Sequence, residues 1–221
     1  AGAPPCGRPA VSGRVAFPDE EDAERLRAVD AEMEAAARRA GPLLGCRPGR
    51  TECCHGPFPI NLLDARRLQR GLAALAAAHP ARASALSRRA EESAARLAPS
   101  FPGDAAVGLL GEDEAAEERF SAEHAREPCP ALDPASGRCE IYEWRPLACR
   151  TMGPPVRIGG EDLPPCPHCF AAASPAEGER CRARPDPGGR EDALVEAVER
   201  RLSLKGDTIV AFALLPRPRA V

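Results

Sequence analysis

The chain has 221 residues, with 30 Lys+Arg against 33 Asp+Glu and a formal net charge of -3. That length suits a single domain with a loose arm, and that charge excludes the broadly basic surface that general nucleic-acid affinity requires. Aromatic residues make up 4% of the chain, so few large side chains are available for a core; a metal centre whose coordination energy becomes folding energy would compensate. No apolar run approaches the ~20 residues of a transmembrane helix.

Residues 1–17 are rich in Pro, Gly and Ala and read as a flexible N-terminal arm, leaving 18–221 as one domain. The start, Ala1-Gly2-Ala3-Pro4-Pro5, has neither the basic n-region nor the apolar stretch of a secretory leader. Residues 19–40 read as a helix with an acidic first turn, Arg38 and Arg39 near its end, and Gly41-Pro42 to stop it. Its apolar stripe of Leu26, Val29, Met33, Ala36, Ala37 and Ala40 is thin, which suits a surface helix packed on a core. A Gly/Pro-rich loop over 42–60 precedes helices at 61–79 and 81–98. Residues 104–110 read as a short helical turn and 112–126 as an acidic helix.

From Glu127 to Phe170 the helical period vanishes, with Pro, Gly or Cys every few residues and a turn at Asp133-Pro134-Ala135-Ser136-Gly137. Residues 171–189 read as a polar loop, 190–204 as the last helix, and the apolar tail 208–215 as a strand or helical turn docked on the core. The fold class expected is mainly α, with helices packed around an irregular cysteine-rich metal-binding core.

Eight of the ten cysteines fall in a pattern: Cys46, Cys53 and Cys54, then Cys129, Cys139 and Cys149, then Cys166 and Cys169. Gathered thiolates are soft ligands for zinc, copper(I) or an iron–sulfur cluster. Cys166-x-x-Cys169 supplies two ligands from one turn, whereas the side chains of adjacent Cys53 and Cys54 diverge and converge on one ion only if the backbone bends. A disulfide framework is disfavoured by the chain's length, its helices and that vicinal pair, so a reduced, cytoplasmic protein is expected. His55 and His168 sit inside the motifs and read as neighbours, since thiolates are in surplus. Four thiolates on a divalent ion leave about -2 of charge, and Arg145 and Arg150, flanking Cys149, read as its cationic partners. No H-E-x-x-H, Walker loop or G-x-G-x-x-G is present.

The segments Cys46-Arg47-Pro48-Gly49-Arg50-Thr51-Glu52-Cys53-Cys54, Pro128-Cys129-Pro130 and Cys139-Glu140-Ile141-Tyr142-Glu143-Trp144-Arg145-Pro146-Leu147-Ala148-Cys149-Arg150 resemble the YkgJ-type cysteine-cluster family. The resemblance spans about residues 46–170, with the last helix a candidate addition, and implies a bacterial zinc- or iron-chelating domain. Family members commonly carry a cysteine where Arg50 stands here; the resemblance then implies that one ligand is lost or that Cys181 or His55 fills in as a reserve, and it puts Cys46 in question as a ligand. Similar cysteine motifs occur in flagellin lysine-N-methylases, where an iron–sulfur centre is implied.

The function expected is metal binding through an iron–sulfur cluster or Zn2+, at least partly structural, with iron–sulfur favoured because cysteines exceed what one zinc needs. The competing readings are a redox or group-transfer enzyme using the cluster, and a protein-interaction module with a closed zinc site that recruits a protein partner through the first helix and the apolar tail. The metal ion or cluster is the partner expected in every case; neither nucleic acid nor membrane is. Whether the chain is an enzyme is left open.

Overall fold

A computed structural model describes residues 17–45 and 50–216. Cys6, Cys46 and all of the N-terminal arm but Phe17 lie outside the described residues. The chain is mainly helical. Helix α1, Asp19–Ala40, opens on Asp19, Glu20, Glu21 and Asp22 and closes on Arg38 and Arg39, charges that oppose its dipole at each end. Helix α2, Leu62–Ala78, starts at Asn61, whose side chain accepts the Asp64 N–H at 2.9 Å. Helix α3, Pro80–Leu97, follows after His79 alone, with proline in the first turn where a missing N–H costs nothing.

The two helices pack together, and Leu68, Leu75, Leu86 and Ala90 join Ile60, Ile141, Val210 and Ala213 in the largest core cluster. The tail contributes to that cluster: Val210–Ala213 forms a short helix, α8 (numbered last in chain order), and Thr208 pairs with Ile60 through two backbone hydrogen bonds of 2.8 Å. It is buried in this chain's own interior.

Residues 104–110 form a hairpin and not the helical turn expected: β1, Gly103–Asp104, pairs antiparallel with β2, Leu109–Leu110. Gly108 turns at φ +75°, a conformation a helical turn does not contain. Helix α4, Glu114–Glu123, is capped by Asp113. Phe120 packs edge-on against Phe101, with ring centroids 5.8 Å apart, and Phe101 meets Phe212 at 4.5 Å. Half of the scarce phenylalanines are thus spent on one joint between α4 and the tail.

Three more pieces punctuate the irregular stretch: β3, Leu132–Asp133, paired antiparallel with β4, Arg138–Cys139; α5, Leu147–Arg150; and the hairpin of β5, Val156–Ile158, with β6, Glu161–Leu163. The loop expected at 171–189 contains α6, Pro175–Cys181, started by a full capping box between Ser174 and Glu177. Helix α7, Arg190–Leu202, packs Leu194 and Val198 on Leu62 and Leu63 of α2.

Candidate metal centre

The 3-10 turn Glu52–Cys54 carries the vicinal pair. Its exit runs beside the strand-like segment 127–129: Gly56 N–H donates to the Glu127 carbonyl, and Cys129 N–H to the Cys54 carbonyl, both at 2.8 Å. Cys129 opens the next turn, and Leu132 pairs across the β3–β4 hairpin with Cys139. Cys149 rides on α5, whose first N–H, that of Leu147, donates to Asp64 Oδ1 at 2.9 Å. Thus Cys53, Cys54, Cys129, Cys139 and Cys149 gather from three sequence stretches.

Their protonation is mutually coupled. The interaction between the two neighbouring thiols holds Cys54 below its ordinary value and pushes Cys53 up. Charges on Cys129, Cys149 and Cys139 oppose ionisation of Cys54. Cys149 is pushed up by burial first, then by charge on Cys129, Asp64, Cys139 and Cys53. Burial pushes Cys129 up to about 11, against the opposing pull of the nearby Ala131 and Leu132 backbone. Cys139 is also raised by burial, while the Ile141 N–H and the Arg145 charge pull the other way. Five thiols that act on one another's ionisation are soft donors of the kind that zinc or iron takes.

The donor set is therefore chemically suited to a soft cation, although among the described residues no group of three or more His, Cys, Asp or Glu side chains is drawn tight enough to hold a metal ion. Cys169 and Cys181 are buried in a different cluster with Ala40 and Phe170, and Cys166 packs against it. Cys181, expected only as a reserve, thus belongs with the Cys166–Cys169 turn. That turn presses on the chain entering the first cysteine motif: a Cβ on Gly45 would stand 2.1 Å from the His168 carbonyl oxygen. Between the two groups, Cys53 and Cys166 face a solvent-open cavity of about 140 Å³, together with Glu52, Met152 and His168.

The remaining expected residues have other duties. His55 Nδ1 lies 2.8 Å from the Thr51 carbonyl, and His168 Nε2 lies 4.0 Å from Glu52. Arg145 stacks over the exposed Tyr142 ring at 3.9 Å and acts electrostatically on Cys139. Arg150 is a buried clamp: it pairs with Asp30 of α1 at 2.6 Å and donates to the carbonyls of Glu143 and Arg145. It thereby ties the Cys139–Cys149 segment to the first helix.

Sequence reading missed a buried ionic network. Arg67, 1% exposed, hydrogen-bonds Asp22, Asp64 and Glu191. Arg25 stands 3.1 Å from Asp186 and 2.9 Å from Glu191, although none of its N–H groups is aimed well enough to count as a hydrogen bond. Two guanidinium groups thus face four carboxylates. Burial pushes Asp64 up to about 6, reinforced by the charge of Glu191 and opposed by Arg67.

Residues 45–167, more than half of the chain, match the family model CxxCxxCC, described as "Putative zinc- or iron-chelating domain". No curated protein and no solved structure shows significant similarity to the chain.

Proposed function

We propose that this chain, which belongs to the CxxCxxCC family of zinc- or iron-chelating domains, binds a metal centre through Cys54, Cys129, Cys139 and Cys149, with Cys53 as a fifth thiol at its edge. The observation that carries this reading is the backbone pairing that lays the Cys53–Cys54 turn beside Cys129, with Cys139 and Cys149 near enough to act on the ionisation of Cys54. Cys166 and Cys169, with Cys181, form a separate group that could serve a second ion. Bound zinc would cross-link three stretches of chain, and a bound iron–sulfur cluster would add electron transfer. Thiolates alone, in excess of one zinc's four, favour iron–sulfur.

The cavity between Cys53 and Cys166 favours a second reading, in which the centre's exposed edge does redox or group-transfer chemistry on a small molecule. The interaction-module reading loses one of its surfaces, because the apolar tail is buried in the core. Residues 18–221 would act as one unit in a reducing compartment such as the cytoplasm.

Anaerobic purification followed by metal analysis, acid-labile sulfide assay and visible absorption tests the proposal. Stoichiometric iron with sulfide and brown colour supports a cluster, and colourless protein with stoichiometric zinc supports a closed site. Protein that takes up neither metal after reduction and reconstitution refutes both.

A further inference from the structure

We propose that Asp64 is a positioning residue for Cys149, and that through it the buried charge network of α1, α2 and α7 fixes where that sulfur stands. The inference rests on the metal-centre reading for its purpose, but its test does not. Helix α5 is only four residues long, too short to hold itself by internal hydrogen bonds. Its first N–H would be an orphan without an external acceptor, and Asp64 Oδ1 is that acceptor at 2.9 Å. The same oxygen accepts from Arg67 Nη1 at 2.6 Å.

Arg67 in turn is pinned by Asp22 of α1 and by Glu191 of α7, so the carboxylate cannot swing without disturbing three helices. The opposite end of α5 is gripped by Arg150, through Asp30 of α1. Both grips reach beyond residues 45–167: α1 and α7 lie outside the family match, yet they hold one of its cysteines. A carboxylate near a group of thiolates is electrostatically unfavourable. Its value here lies in the hydrogen bond it accepts.

Asn at this position keeps an oxygen acceptor and removes the charge, whereas Ala removes both. The test uses the reduced, metal-free, full chain of wild type, Asp64→Asn and Asp64→Ala. Iodoacetamide alkylation is followed residue by residue by mass spectrometry, with buried Cys169 as internal reference, and amide exchange is followed over 147–150. Asp64→Ala is expected to accelerate alkylation of Cys149 relative to Cys169 by about tenfold, as local opening of the turn exposes it, and to speed exchange at Leu147. Asp64→Asn is expected to stay within about twofold of wild type in both.

The proposal is overturned if Cys149 is unaffected by Asp64→Ala or accelerates no more than Cys169. It is overturned equally if Asp64→Asn loses protection at Leu147, a result that decides the matter even should the alanine variant fail to fold. In the zinc-loaded proteins, Asp64→Ala is expected to weaken zinc about 10–100-fold, the range seen when a ligand's support is removed. Wild type that binds no metal would refute the proposed function while leaving the alkylation result to judge Asp64.

Discussion

Replacing Arg67 with methionine puts the buried ionic network to a quantitative test. The guanidinium is 1% exposed and serves three carboxylates, on Asp22, Asp64 and Glu191, whose side chains are themselves 3–9% exposed. Methionine fills much of the space but leaves three buried acids, of which Glu191 alone still meets a guanidinium, that of Arg25. Removing one partner of a single buried pair costs about 3–5 kcal/mol. With three acids deprived of Arg67 the upper end applies, less whatever the acids recover by taking up protons. Against a total stability of about 5–15 kcal/mol for a domain, Arg67→Met should be close to unfolding at pH 7.

The orphaned acids have folded pKa values raised above their unfolded ones, so the folded state binds more protons and stability falls as pH rises through that window. The loss should therefore shrink between pH 7 and pH 5. Urea denaturation at both values measures it; urea is preferred because guanidinium screens charge. Adding Asp22→Asn and Glu191→Gln to Arg67→Met should restore at least half of the loss. A cost below about 1 kcal/mol, the range of an exposed ion pair, with no pH dependence would refute the network's role.

Asp64 itself carries a pKa raised from 3.8 to about 6. Its ionisation cost is absent below the unfolded value and complete above the folded one, so Asp64→Asn should gain stability relative to wild type as pH rises from 4 to 6. At 1.36 kcal/mol per unit the gain is at most about 3 kcal/mol; a flat difference in urea midpoints across that range contradicts it. Because Cys129, Cys139 and Cys149 all hold their protons more firmly than an ordinary thiol, zinc uptake at pH 7 should release about three protons per ion or more. Weakly buffered titration with an indicator dye counts them, and fewer than one would rule out thiol ligation. A Cβ on Gly71 would lie 2.6 Å from the Trp144 Cβ, so Gly71→Ala should cost about 1–3 kcal/mol by overpacking. Trp144 is the chain's one tryptophan, and unchanged emission with an unchanged melting temperature would show that the contact is loose.

Helix α1 was legible to the residue because its charges run acidic to basic and Gly41 follows. The network was not, because Arg67 finds its partners 45 and 124 positions away. One signal was available: Asp22 and Arg25 lie on the same helical face as Leu26, Val29 and Met33, charged residues on a stripe that otherwise goes inward. Helix α6 was hidden by a segment rich in Pro and Gly, although Ser174-x-x-Glu177 is a capping box in plain view. The cysteine-rich segments and their irregular setting followed from spacing alone. Their division did not: Cys181 joins the Cys166–Cys169 turn only because α6 exists to carry it there. Arg150 read as a cation for the sulfurs, but a 2% exposed guanidinium needs hydrogen-bond acceptors on every side, and carbonyls with Asp30 supply them.

X-ray absorption at the metal edge of protein purified without oxygen tests most directly whether these sulfurs share a centre. A shared centre predicts a first shell of about four sulfurs at ~2.3 Å, lowered in each of Cys54→Ser, Cys129→Ser, Cys139→Ser and Cys149→Ser, by about one for a single zinc and by a fraction of that for a cluster whose sulfides share each iron, and unchanged in Cys169→Ser. A first shell of oxygen and nitrogen, or one indifferent to those four substitutions, would contradict it.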